Sequence, residues 1–168
     1  MTAPVAELVE ERIMADIEAV LRGISPSSTV GSFWTTVKGV HRMDRHPIDL
    51  PELPAIAVLY GESQDHGFDA TEQISGTVYV DLNVHIFCVG QKDSPDWKRD
   101  IARFAADVKT ALRIDTQRGQ LDGQANAFDT IIGTTVISNQ PDAFPVPMAR
   151  VDVQVQYRHL FNDPTASI

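Results

Sequence analysis

Cysteine is nearly absent from this sequence: Cys88 is the only one in 168 residues. A lone cysteine excludes an intrachain disulfide framework and any multi-cysteine zinc site, and it suits a reducing compartment. Long apolar runs are missing too, with no stretch near the roughly 20 residues that cross a bilayer. Glu7, Glu10, Glu11 and Arg12 interrupt the first apolar residues. That predicts no export signal and a chain that stays where it is made. Basic residues are scarce, 14 against 23 acidic ones, for a net charge of −9. Tight nucleic-acid binding rests on a Lys/Arg surface that releases counterions from phosphates, and no basic run provides one here. The same shortage argues against docking on anionic lipid.

Catalytic signatures are equally sparse. There is no H-E-x-x-H pair, no G-x-S-x-G elbow and neither common phosphate loop. Cys88 falls on an apolar strand face, where it reads as a small core side chain. His41, Asp44 and His46 could meet in a loop, but loop histidines are mostly solvated. Asp81 and Asp152 each sit mid-strand on the less apolar face, where a carboxylate faces water, a partner subunit or, if the strands are neighbours, a second carboxylate for acid/base work. No cofactor and no enzyme activity are expected.

What the sequence does contain is periodicity. Its 43% hydrophobic and 22% charged residues are ordinary for one globular domain, read here as 1–168 with flexible ends at 1–3 and 162–168. From Pro4 to Arg22, Val5, Leu8, Val9, Ile13, Met14, Ile17, Val20 and Leu21 recur at helical spacing, with Thr2 as N-cap and Gly23 as stop. Thr29–Val40 is β-branched and aromatic and reads as a strand, as does the apolar Ala55–Tyr60. Residues 61–73 and 115–126 read as exposed polar loops, the second mobile, and both are candidate partner contacts.

Ile74–Val89 alternates strictly. Val78, Val80, Leu82, Val84, Ile86 and Cys88 take one face, and Tyr79, Asp81, Asn83, His85 and Phe87 the other. At about 3.3 Å per residue it could reach about 50 Å, long enough to overhang its own sheet and invite a neighbour to pair with it. A second helix opens at Ser94-Pro95 with Trp97, Ile101, Phe104, Val108 and Leu112 on its apolar face. Phe128–Ile137 reads as a strand weakened at Gly133, and Ala149–Phe161 as a second long strand with Asp152, Gln154, Gln156 and Arg158 outward. The expected fold is α+β: a mixed, mostly antiparallel sheet, two helices on one face and long hairpin strands. Candidate interface residues are Tyr79, Asp81, His85, Asp152, Gln154 and Arg158 on the outward strand faces, and Trp34 because tryptophan anchors interfaces.

The succession of an N-terminal helix, LPAIAVLYGE, GTVYVDLNVHIFCVG, SPDWKRDIARFAADVKTAL and ARVDVQVQYRHLFNDP resembles the tail terminator (tail completion) proteins of tailed bacteriophages. The resemblance covers nearly the whole chain and rests on order and pattern. It implies a ring-forming, hexameric structural protein of the virion tail, assembled in the host cytoplasm, without catalytic residues. Such rings cap the tail tube, stop its polymerisation and present a docking face for the head. The implied partners are further copies of itself, the tail tube protein, a neck or connector protein and, in a contractile tail, the sheath protein. DNA passes through the lumen without specific binding. Two alternatives remain open: another head–tail joining or minor tail protein, and a small α+β enzyme or ligand-binding domain.

Overall fold

The computed structural model describes residues 7–43, 50–66, 76–91, 94–138, 146–160 and 163–167. In chain order the elements are α1 (Val9–Arg22), β1 (Gly39–Met43), β2 (Ala55–His66), β3 (Thr77–Val89), α2 (Trp97–Ile114), β4 (Asp129–Ile137), β5 (Met148–Leu160) and β6 (Asp163–Ser167). The sheet runs β1-β2-β3-β5-β4, with β6 also on β5. Only β1 and β2 are parallel, so the expected mixed, mostly antiparallel α+β fold is met.

Alternation decides which face is covered. Residues 78–88 of β3 at even positions and Val151, Val153, Val155 and Tyr157 of β5 join one buried cluster with both helices. From α1 that cluster takes Val9, Ile13, Met14, Ile17 and Leu21; from α2 it takes Ile101, Phe104, Val108 and Leu112. Ile13, Ile17 and Leu21 are fully buried, and burial of such a side chain contributes about 1.5–3 kcal/mol. Cys88 lies inside this core, and burial pushes its thiol well above the ordinary range. Tyr157, 4% exposed, donates its hydroxyl to Glu10 Oε2 at 3.0 Å and so ties α1 to β5.

Several expectations are corrected. Over the described residues the long strands are matched to each other and not left to overhang: β3 pairs with β5 from Thr77↔Leu160 to Val89↔Met148, and β2 flanks β3 on its other side from Val89 to Tyr79. Thr29–Lys38 is a strap across α2, not a strand. Its backbone donors turn inward to the Asp107 carboxylate, accepted from Trp34 at 3.1 Å and Thr35 at 2.8 Å, and from Val37 to the Ile24 carbonyl. Residues 61–66 continue β2 past a bulge between Tyr60 and Ser63, while 67–73 lie outside the described residues. The 163–167 end is the strand β6, held where Arg12 donates to the Thr165 carbonyl at 3.0 Å. Thr2, Pro4 and the 1–3 end lie outside the described residues, and α1 begins after Leu8. The second helix starts at Trp97, with Asp96 and not Ser94 at the N-cap position.

Gly61 sits at the β2 bulge, where a Cβ would come within 2.5 Å of the Asn83 carbonyl on β3. Gly61→Ala should therefore force the hairpin apart and cost about 1–3 kcal/mol, read as a lower denaturant midpoint. An unchanged midpoint would contradict this close approach. A second test concerns pH. Burial and the Glu10 carboxylate push the Tyr157 phenol well above its ordinary 10.0. The unfolded chain ionises there first, so the stability tied to this group is complete below pH 10 and drains as pH rises further. Urea midpoints should fall between pH 8 and about pH 11 more steeply in the native sequence than in Tyr157→Phe. Parallel profiles would contradict the assignment.

Candidate functional site

On the sheet's second face most outward side chains of β3 and β5 are part-exposed. At one end Ala57, Phe87, Val89 and Met148 form a small apolar cluster under Leu50, Leu53 and Val146. Beyond it the outward side chains of β3 and β5 stand in register: Tyr79 opposite Arg158, Asp81 opposite Gln156, Asn83 opposite Gln154 and His85 opposite Asp152. Six of the seven candidate residues thus share one surface. Period two and a common register put them there; no loop is involved.

Charges on this face are paired locally. Asp152 accepts from His85 Nδ1 at 2.7 Å, and Arg150 Nε lies 3.0 Å from the same carboxylate. Phe128 packs on Tyr79 with ring centroids 5.7 Å apart, and the Arg158 guanidinium lies 5.0 Å from the Phe128 ring. Asp81 is 8% exposed in this wall. The acid/base alternative fails on register. Asp81 lies opposite Gln156 and Asp152 opposite His85, four residues further along. That separates the carboxylates by about 13 Å along the strands.

The outer edge of the same face is apolar. Among the described residues β4 has one neighbour, β5, and Phe128, Ile131 and Val136 are 39%, 43% and 46% exposed along it. Sequence reading missed these three and Arg150. A bulge between Ile132 and Thr135 shifts the phase of β4, so its outward positions do not follow one alternation.

Trp34 is elsewhere. It is 63% exposed on the strap, on the helix side of the fold, and its backbone is fixed by the fully buried Asp107. Metal chemistry finds no support in the grouping of side chains: among the described residues no three His, Cys, Asp or Glu side chains converge. Of the histidine hypothesis, Asp44 and His46 lie outside the described residues. No helix among those described is long and apolar enough to cross a membrane. No family model and no curated protein matches this chain.

The 115–127 segment is a built turn, contrary to its reading as a mobile polar loop. Asp115 accepts from the Gln117 and Gly119 N–H groups at 3.0 and 2.7 Å, and Gln117 O accepts from Asn126 and Ala127. Arg118 is fully buried at φ 53° and donates to the Leu112 carbonyl. Opposing it from α1 is Asp16, 1% exposed, whose carboxylate makes no direct contact with the guanidinium. Burial raises the Asp16 carboxyl above its usual range, opposed by the Arg118 charge, and burial also lowers Arg118. The two form no direct ion pair, but each charge offsets the other's burial, and removing one leaves the other buried and uncompensated. Arg118→Met should cost about 3–5 kcal/mol in urea unfolding, and adding Asp16→Leu should recover part of that loss. A double variant weaker than the single one would show that the two charges do not compensate each other.

Proposed function

We propose that this chain is the ring-forming tail terminator subunit of a tailed bacteriophage. The single observation that carries the reading is the gathering of Tyr79, Asp81, His85, Asp152, Gln154 and Arg158 on one sheet face, most of them part-exposed, bordered by the exposed apolar edge of β4. A face of that kind is suited to burial against another protein, because an apolar rim and locally paired charges lose little on desolvation. β4 also offers unpaired backbone groups to an approaching strand. The resemblance in element order supports the same reading, and the α+β sheet with helices on one face is the fold that the resemblance implies.

Contacts between unlike surfaces of identical chains close into rings when the rotation permits. Repeated around such a ring, a subunit of charge −9 gives an acidic body that repels DNA and lets it pass. The tail tube and the head connector then bind opposite rims. Another head–tail joining ring would share this assembly and differ in its neighbours, so the decisive test uses tails.

Tails assembled without this protein should be of uncontrolled length and fail to join heads. Purified protein should run at about 110 kDa in light scattering, alone or once tubes are added, as expected for six chains of 18.5 kDa. Tails of normal, uniform length that still accept heads would remove the assignment. Uniform tails that fail only at head joining would move the protein to the connector side.

A further inference from the structure

A cleft of about 330 Å³ opens where the strap before β1 meets the first turns of α2. Its apolar lining is Trp34, Trp97, Ile101, Phe104, Pro54 and Pro147. Ligand clefts run from about 300 to 1,000 Å³, so this one suits a side chain with a little backbone and not a dinucleotide. Three cations surround it. Lys38 lines the cleft, the Arg103 guanidinium lies 6.0 Å from the Trp34 ring, and the Lys98 ammonium lies 5.5 Å from the Trp97 ring. Among the described residues none of the three makes an ion pair. The acid in the wall, Asp100, is engaged by Ser94 and Arg99. A surplus of positive charge around an aromatic hole, on a chain with 23 acidic residues, selects an apolar side chain carried next to a carboxylate.

The chain itself presents such a feature. Leu121, 60% exposed, stands at the tip of the 115–127 turn and is followed by Asp122, whose carboxylate accepts from the Gln124 N–H and from Asn126 Nδ2, both at 2.9 Å, and stays 31% exposed. Gly123 turns the backbone there at φ 74°, and its N–H donates to the Gly119 carbonyl at 2.8 Å. The tip is held by Arg118 beneath it and by Arg12, whose Nε lies 4.0 Å from Asp122. The cleft is held as firmly, because Asp107 fixes the Trp34 backbone. Cleft and tip lie toward opposite ends of the 18-residue α2, which at 1.5 Å per residue spans about 27 Å. They cannot meet within one chain. Two copies set head to tail can bring them together.

We infer that Leu121 of one copy seats between Trp34 and Trp97 of the next, with the exposed side of the Asp122 carboxylate facing Lys38 and Arg103. The contact is heterologous, knob on one surface and hole on another, which is the type that closes a ring. Both sides are preorganised, so little ordering entropy is lost on docking. The inference rests on the ring reading above and supplies one of its contacts.

The test uses Trp34→Ala and Leu121→Arg, both at largely exposed positions, so each variant should melt where the native protein does. Each alone should lose the ring mass. An equimolar mixture should instead form a one-to-one dimer of about 37 kDa, because Trp34→Ala copies keep the knob and Leu121→Arg copies keep the hole. A general loss of stability would not restore pairing in the mixture. If either variant keeps the full ring, this contact is wrong while the ring stands. If both are monomers and the mixture stays silent, the knob and hole do not belong together. A native chain that is monomeric with and without tubes removes ring and contact together. Quenching of the indoles by a thymidine oligonucleotide, lost in Trp34→Ala, would assign the cleft to single-stranded nucleic acid and overturn the inference.

Discussion

The pairing of β3 with β5 along their whole length is the constraint on which the other features depend. Thirteen residues of each strand are matched without interruption, from Thr77↔Leu160 to Val89↔Met148. Because side chains alternate, a slip of one residue would turn Val80, Leu82 and Val84 outward and put Asp81, Asn83 and His85 under the helices. The cost of burying those polar groups unpaired fixes the register. Once it is fixed, the helices have one face to cover and the candidate residues have one face to share.

The alternation in β3 and β5 and the amphipathic stripes of both helices were legible, because each is a local pattern that a single burial direction imposes. The two faces of β3 and β5 fall as the pattern predicts. The strap was misread because Val30, Phe33, Thr35 and Val37 have strand composition, whereas the partner that claims its donors, Asp107, lies more than seventy residues away in sequence. The second half of β2 was read as loop because Glu62, Ser63, Gln64 and Asp65 are polar and exposed; its strand state comes from pairing with β3. The 115–127 turn looked like a solvated loop for a similar reason. Nothing local announces that Arg118 points inward, and its role is visible only with Asp16 across from it.

Six candidate site residues were found through the same alternation, and Trp34 through its residue type alone. The structure separates these two grounds. The alternating residues form a continuous wall, while Trp34 lies with Trp97 on the helix side. The long strands satisfy each other over their described length, and what the fold offers a neighbour is surface: a part-exposed sheet face, an apolar edge and an aromatic cleft. A sheet completed internally can still present unlike surfaces to its neighbours, and a rigid scaffold between them sets the angle at which copies would meet.

The bulge in β4 has a consequence for how this chain keeps apart from stray strands. Residues 130–137, TIIGTTVI, carry no charge and no proline, which is the composition of segments that stack into fibrils. They also lie on an edge strand, where a stray chain could add. Breaking the ladder between Ile132 and Thr135 divides that edge into two short runs with different phase. Both runs are shorter than the roughly six or seven residues of a stacking segment, so the bulge beside Gly133 works against fibril formation at this edge.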